Sequence, residues 1–134
     1  MVAVDLVKII IDEKAQEQAV VLREQGGVRQ VPIVIGFPEV TSIQMKVAGI
    51  EPPRPLTHDL LVHVLQALDA RGVKLVVDDV REGTFFAKLH LLTKDGQNVV
   101  IDCRPSDGIA LAVRLKIPLF VVEGVFNSTL PPEE

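Results

Sequence analysis

Three short apolar runs, KLVVDDV, FFAKLHLL and NVVID, limit the possible folds of this chain more than any other segment. The dipeptides Glu82-Gly83 and Asp95-Gly96 separate the runs, and such pairs favour the tight turns that join antiparallel strands. The alternation of apolar and polar residues in FFAKLHLL is typical of a strand with one buried face. Residues 74–102 therefore predict three consecutive antiparallel strands.

The first part of the chain predicts three further strands and a helix. The strands are expected at about 2–12, 18–24 and 31–35. The last two are predicted to form a hairpin across Gly26-Gly27. A helix is then expected from Pro38 to Gly49, because proline suits the first helical turn and glycine commonly follows the last.

A second helix is predicted after the proline-rich segment IEPPRPLTHD. Its prolines exclude helix until the last of them is passed, so Thr57 is the predicted N-cap. The helix is expected to stop near Gly72. Its predicted inward face, with apolar residues at i, i+3, i+4 and i+7, consists of Leu61, Val64, Leu65 and Leu68.

The end of the chain predicts a strand-helix-strand unit. A helix over about 105–116 and a seventh strand over 117–123 follow NVVID, and their short joints predict a right-handed βαβ crossover with parallel strands. The fold class is therefore α+β, with a mixed, mainly antiparallel sheet of about seven strands and three helices, packed largely on one side. One domain is expected over 1–126, followed by a polar tail, 127–134, that frays.

Composition and charge narrow the class of protein. The chain has 134 residues, of which 48% are hydrophobic, enough to build one domain around one core. Its 14 basic and 18 acidic side chains give a net charge of −4, the opposite of the basic surface that usually grips a phosphate backbone. The single cysteine, Cys103, excludes a disulfide within one chain. With no signal-peptide pattern and no apolar run long enough to span a membrane, a cytoplasmic protein without membrane association is expected.

The segment DCRPSDGIALAVRL, residues 102–115, crowds polar residues at the start of an apolar helix. One interpretation is structural. Asp107 falls near the positive end of the helix dipole, and Ser106 can satisfy a free backbone N–H. Asp102 and Arg104, two positions apart, could form an ion pair. Taken alone, the segment favours this interpretation.

The other interpretation of the same segment is a functional site. Ligands commonly bind where strand ends meet helix N-termini in crossover folds. Arg104 could hold a phosphate or carboxylate. Asp102 and Asp107 could carry a divalent metal ion, or one of them could act as a general base.

The segment RPLTHDLLVHVL, residues 54–65, is the second polar cluster. His58 is predicted to point inward at the start of its helix, where beside Arg54 it could serve as an acid or a base. Asp59 and His63, at i and i+4, are expected to form a solvated pair on another face.

The remaining candidates favour structural roles. His90 is expected to face solvent or a subunit, and Cys103 to be an ordinary thiol. The helix segment IALAVRL is apolar on nearly every side, so another helix or a partner subunit must cover it. This pattern favours a homodimer.

RPLTHDLL, DCRPSDGIALA and the earlier VPIVIG with the following Glu39 together carry a family resemblance. The sequence resembles the bifunctional nuclease domain family, formerly a domain of unknown function, over roughly residues 3–126. The resemblance implies an α+β fold, oligomers, and nuclease activity on both RNA and DNA. Cys103 and Gly108 stand where the family usually has alanines. Plant members carry a further C-terminal coiled segment beyond the part that this sequence matches.

The resemblance implies hydrolysis of phosphodiester bonds. The catalytic candidates are His58 for proton transfer and Asp102 and Asp107 for positioning water or a metal ion, with Mg²⁺ or Mn²⁺ possible. The candidates for substrate binding are Arg54, Arg104 and Ser106. Two alternatives stay open: a non-catalytic oligomeric module that binds a small anion or a partner protein, and a scaffold in which both clusters only hold helix starts.

Overall fold

A computed structural model of the chain describes residues 1–12, 14 and 16–129. Within these residues the chain forms seven strands and four helices. They are β1 (Val2–Asp12), β2 (Glu17–Glu24), β3 (Gln30–Ile35), α1 (Phe37–Val47), α2 (Thr57–Ala67), β4 (Arg71–Arg81), β5 (Thr84–Leu92), β6 (Asn98–Cys103), α3 (Pro105–Leu115), β7 (Leu119–Val121) and α4 (Glu123–Thr129).

The seven strands form one mixed sheet in the order β3-β2-β1-β7-β4-β5-β6. Every neighbouring pair is antiparallel except β4 and β7, which are parallel. The predicted α+β class with a mainly antiparallel sheet is therefore confirmed. The strands β6 and β7 run in the same direction, as predicted for the crossover unit, but α3 carries the chain past β5 and β4 between them.

The predicted turn between β4 and β5 forms at Glu82-Gly83. Both residues have positive φ, 51° and 79°, which suits the two-residue turns that match the twist of antiparallel strands. The register of the following strands depends on this turn, because a slip of one residue would exchange the two faces of the sheet.

The helices pack on one face of the sheet. Side chains of α1, α3 and α4, such as Ile43, Ile109 and Phe126, share one buried cluster with the inward strand residues. Val62 and Leu65 bring α2 against the same cluster. Val76 and its β5 partner Lys88 lie between inward-facing residues and belong to the opposite, helix-free face. The molecule therefore has two layers, with one sheet face uncovered by helices of the described part.

The inward face of α2 differs from the predicted one. His58 is buried as expected, and Val62 and Leu65 face the core with it. Leu61, Val64 and Leu68 are exposed, so the predicted stripe was wrong for these three. Apolar residues lie on both sides of this helix, and periodicity alone cannot show which side meets the core.

The start of α2 also differs slightly from the prediction. Leu56 is the N-cap, not Thr57, and the Asp59 carboxylate accepts a hydrogen bond from the Leu56 N–H at 2.9 Å. Asp59 at the third helical position thus satisfies the backbone N–H of the N-cap residue, as the side chain at that position does in a capping box.

The apolar helix α3 is covered from within the chain. Four of its successive residues, Ile109, Ala110, Leu111 and Ala112, are buried, and α3 packs against α1 and α2 as well as β4 and β5. The sequence had predicted that either another helix or a partner subunit covers α3. Helices of the same chain cover it, so a partner subunit is not needed to bury it.

The last helix, α4, was not predicted. Val125 and Phe126 are buried in the core, and the Arg29 guanidinium lies 4.5 Å from the centre of the Phe126 ring while also pairing with Glu123. Of the tail predicted to fray, residues 127–129 continue this helix and residues 130–134 lie outside the described residues. No helix in the described part is long and apolar enough to cross a membrane.

Candidate functional site

The first turns of three helices meet at one place in the molecule. Glu39 lies in the first turn of α1, His58 in that of α2 and Asp107 in that of α3. Hydrogen bonds and ion pairs among these residues and Arg104 join the turns directly. The two polar motifs of the sequence therefore do come together.

His58 is the centre of this junction. Its side chain is 8% exposed, and both ring nitrogens are engaged. Nε2 lies 2.8 Å from Oδ1 of Asp107, and Nδ1 lies 2.7 Å from the hydroxyl oxygen of Ser42. A buried imidazole held at both nitrogens has a fixed orientation.

The hydrogen bond to Asp107 indicates which nitrogen of His58 donates. A carboxylate can only accept, so Nε2 donates the ring hydrogen to Oδ1 of Asp107. In the neutral imidazole, Nδ1 then accepts the hydrogen of the Ser42 hydroxyl group. The Ser42 oxygen itself accepts from Nη2 of Arg114 at 2.9 Å, since a guanidinium can only donate.

The order serine, histidine, aspartate resembles the arrangement used by hydrolases with a serine nucleophile. Ser42, however, is only 5% exposed, and its hydroxyl group is held between Arg114 and His58. The side chain of Asp107, at 30% exposure, is the more open end of the chain of hydrogen bonds. Asp107 is therefore the member of this chain of hydrogen bonds that solvent can reach.

Arg104 holds two carboxylates at the solvent side of the junction. Its Nε donates to Oδ2 of Asp107 at 3.0 Å and its Nη2 to Oε2 of Glu39 at 3.1 Å. The hydrogen bond to Asp107 raises the pKa of the Arg104 guanidinium, so the group stays cationic. Its side chain is 66% exposed, and Nη1 has no hydrogen-bond partner in the described part of the chain.

Arg114 lies on the buried side of the junction. Its side chain is 5% exposed; Nε donates to Oδ1 of Asp59 at 2.7 Å and Nη1 to the carbonyl of Ala110 at 2.9 Å. Burial alone would raise the pKa of Asp59, but the hydrogen bonds from Arg114 and the Leu56 N–H outweigh burial and lower it. Asp59 is thus bound to Arg114 and not to His63, its predicted partner.

A cavity of about 420 Å³ lies beside this support, between α1, α2 and the proline-rich loop. Asp59, His63 and Arg114 line one part of it, and Pro53 and Pro55 line another. Arg114 and Asp59 bind each other there, and the other polar residues that line the cavity are Lys46, Glu51, His63 and Gln66.

Asp102 lies away from the junction. It is paired in register with Lys88 on the helix-free face of the sheet, and its Oδ1 is 3.4 Å from the Lys88 ammonium nitrogen. Lys88 also binds Asp78. The predicted ion pair between Asp102 and Arg104 does not form, because Arg104 turns to the helix side.

Two of the predicted substrate-binding residues have contrasting positions. Arg54 is exposed on the loop that leads into α2, and no ion pair of this residue is found with the described residues. Ser106 is buried in the first turn of α3. Arg54 is thus accessible to solvent, whereas Ser106 is not.

The metal site suggested for Asp102 and Asp107 is not supported by their placement, since they lie on opposite faces of the sheet. Near the junction, Glu39 and Asp107 share Arg104 as a counter-charge. Within residues 1–12, 14 and 16–129, no three side chains of His, Cys, Asp or Glu are grouped to hold a metal ion. The residues present do not by themselves fit a divalent cation.

Cys103 and His90 match their predicted structural roles. Burial, with the nearby charges of Asp102 and Asp107, raises the pKa of the Cys103 thiol to about 11, so the thiol is neutral and unreactive near neutral pH. Burial and the charge of Lys74 lower the pKa of His90, which is half-buried on β5.

Three residues of the network were not identified as site residues from sequence: Glu39, Ser42 and Arg114. Arg114 gave a signal, as the one charged residue in the apolar segment IALAVRL, and a buried arginine requires partners. Glu39 had been noted only as part of a motif. For Ser42 the sequence carried no signal.

The chain is similar in sequence to one protein family and to several known proteins. The family model of the bifunctional nuclease domain matches residues 20–133. Two uncharacterized proteins, from Mycobacterium tuberculosis strains CDC 1551 and H37Rv, are each 38% identical over 133 residues, covering 98% of this chain and 79% of theirs. A rice protein (Oryza sativa subsp. japonica) named Bifunctional nuclease 2 is 32% identical over 117 residues, covering 83% of this chain and 35% of that protein.

Proposed function

Because the chain belongs to the bifunctional nuclease domain family, we propose that it hydrolyses phosphodiester bonds of RNA and DNA at the junction of the three helix starts. The observation that supports this site best is the hydrogen bond between His58 and Asp107, at 2.8 Å. It joins the two motifs on which the family resemblance rests. It also leaves the Asp107 carboxylate beside an exposed guanidinium.

Each residue of the junction has a role in this proposal. Arg104, through its unpaired Nη1, and Arg54 bind the phosphate. The Asp107 carboxylate orients the attacking water and takes its proton as the P–O bond to the leaving group breaks; the leaving oxygen takes a proton from solvent. His58 keeps Asp107 in place through Nε2–H.

A second candidate is a non-catalytic module that binds a small anion or a partner protein. It is favoured by the closed network at the junction, in which both nitrogens of His58 are engaged and Arg104 already holds two carboxylates. The charge of −4 also disfavours tight binding of a polyanion. The homo-oligomer and the cytoplasmic location predicted from sequence remain part of the proposal.

The nuclease proposal is tested by cleavage of labelled single-stranded RNA and DNA. Wild type, Asp107→Asn and Asp102→Asn are purified identically and assayed with Mg²⁺, Mn²⁺ or EDTA. We expect Asp107→Asn to lower the rate by about 100-fold or more, as for loss of a general base. Asp79→Asn, a matched change at an exposed carboxylate on β4, is the control and should keep the wild-type rate.

The other outcomes separate the alternatives. Loss of cleavage with Asp102→Asn but not with Asp107→Asn would move the site to the helix-free face. Equal cleavage by all variants would indicate a contaminating nuclease, and absence of cleavage by the wild type would favour the binding module. Loss of activity in EDTA would show that a metal ion takes part.

A further inference from the structure

Strand β6 is a free edge of the sheet. It pairs with β5 only, so among the described residues its outer row of backbone N–H and C=O groups has no partner strand. Val100 on the helix-free face is 53% exposed, and Ile101 on the helix face is 43% exposed. An apolar strand edge that is open on both faces is a template for another strand.

The opposite edge of the sheet is built differently. Strand β3 carries Pro32 in its middle, with the side chain turned to the helix-free face. Proline has no N–H to donate, and it is one of the devices that keep an edge strand from pairing with another chain. The sequence of β6, NVVIDC, contains neither proline nor lysine. The β6 edge therefore lacks the proline that interrupts β3, and Asp102 is its one charged residue.

We propose that β6 pairs antiparallel with β6 of a second copy of this chain, about a two-fold axis that passes through Val100. The two sheets then become one continuous sheet, as in isologous dimers. This interface specifies the homo-oligomer of the proposed function and does not depend on nuclease activity.

The register follows from the alternation of side chains. A shift by one residue would oppose side chains of different faces. With Val100 on the axis, Val99 lies opposite Ile101 of the partner subunit on the helix face, and Asn98 lies opposite the partner subunit's Asp102 on the other face. The amide of Asn98 can donate to the carboxylate of Asp102 at both ends of the pair.

Neighbouring registers are less favourable. Moving the axis to Ile101 would place the Asp102 carboxylate opposite Val100, and moving it to Asp102 would place two carboxylates opposite each other, which is destabilising. The register with its axis at Val100 instead places apolar side chains opposite apolar ones and an amide opposite a carboxylate. That self-complementarity favours a second copy over an unrelated extended peptide.

The mass of the full chain in solution, measured by light scattering after size exclusion, tests this interface. Val100→Lys would place two ammonium groups across the axis, and we expect it to halve the mass of the wild-type assembly. Val34→Lys, the same change at an exposed valine of β3, should leave the mass unchanged. A monomeric wild type, an unchanged mass for Val100→Lys, or equal changes for both variants would overturn the proposal.

A cross-link keeps the test decisive if the lysine variant fails to fold. In a Cys103→Ala background, Val100→Cys should form a disulfide between two chains on mild oxidation, and Val34→Cys should not. Equal cross-linking of both variants, or none with Val100→Cys, would show that β6 does not meet its copy. Because Val100 lies outside the helix junction, nuclease activity of the same samples reports on the proposed function separately.

Discussion

The hydroxyl group of Ser42 lies between the guanidinium of Arg114, which can only donate, and Nδ1 of His58. The Asp107 carboxylate on the other side of the ring can only accept, so Nε2 is the nitrogen that donates to it. The sequence could not show this, because Ser42 and Arg114 are 72 residues apart and meet only when α1 packs on α3.

Gly108 is a second case in which one residue depends on its neighbours. A Cβ at this position would lie 2.4 Å from Cδ2 of Leu75 and 3.1 Å from the sulfur of Cys103. The family resemblance places alanine at both 103 and 108. The space that an alanine methyl group at position 108 would need is therefore partly filled by Leu75 and by the sulfur of Cys103.

We predict that Gly108→Ala lowers the free energy of unfolding by about 1 kcal/mol, because crowding of about 1–3 kcal/mol exceeds the gain in helix propensity of about 1 kcal/mol. Adding Cys103→Ala should recover at least about 0.5 kcal/mol beyond additivity, since it removes one crowded atom. Urea denaturation of the four proteins of this cycle measures the coupling. Strictly additive effects would show that Leu75 alone limits the space.

At the level of elements, the strands were easier to predict than the faces of the helices. The alternation in β5 and the turn at Glu82-Gly83 set the strands locally, whereas α2 has apolar residues on both sides and only tertiary packing decides between them. Val64 was predicted to face inward and is exposed, while Val62 faces the core. The helix α4 was not predicted because its sequence is short and its contacts are with a residue distant in sequence, Arg29, which pairs with Glu123 and packs on Phe126.

The two polar motifs meet at the junction of the three helix starts, but one of them is divided between two faces of the molecule. Asp102 and Asp107 belong to one short segment of sequence. The strand β6 turns Asp102 to the helix-free face, and the helix α3 then directs Asp107 to the junction. Successive side chains of a strand point to opposite faces of the sheet, whereas those of a helix follow a period of 3.6 residues. Residues close in sequence can therefore lie on different faces when a strand ends and a helix begins between them.

The ion pair of Asp59 and Arg114 fastens α2 to α3, and its strength should depend on pH. The pKa of Asp59 is lowered in the folded state, so its contribution is present above the unfolded value, about 3.9, and is lost as the pH falls below it. We predict that Asp59→Asn costs about 2 kcal/mol near neutral pH, because it weakens the hydrogen bond to a buried guanidinium. The difference should narrow toward about pH 3.

Urea denaturation of wild type and Asp59→Asn at both pH values measures this difference. Asp69→Asn is the matched control, since the exposed Asp69 lies 3.8 Å from the Lys94 nitrogen, and it should change stability by less than about 0.5 kcal/mol. A cost for Asp59→Asn that stays constant with pH would show that shape, and not charge, joins the helices.

For the whole molecule, the balance of charge limits how a nucleic acid can bind. The net charge is −4, and the cations proposed to bind the phosphate are the exposed Arg54, before α2, and Arg104, before α3. Each phosphate that a cation neutralises on a single strand contributes about 0.7 to the slope of log K against log salt concentration. Two such contacts would give a slope of about −1.4.

We therefore predict weak binding of single-stranded RNA or DNA, with a salt slope near −1.4 that Arg54→Ala reduces in magnitude by about 0.7. Fluorescence anisotropy across a salt series measures the binding constant and its salt slope. Asp107→Asn is the parent protein, so that the nucleic-acid strand is not cleaved. Arg81→Ala, at an exposed arginine that pairs with Asp79, should leave the slope unchanged. A slope of about −3 or steeper would require further cations, and an unchanged slope with Arg54→Ala would place the strand away from the start of α2.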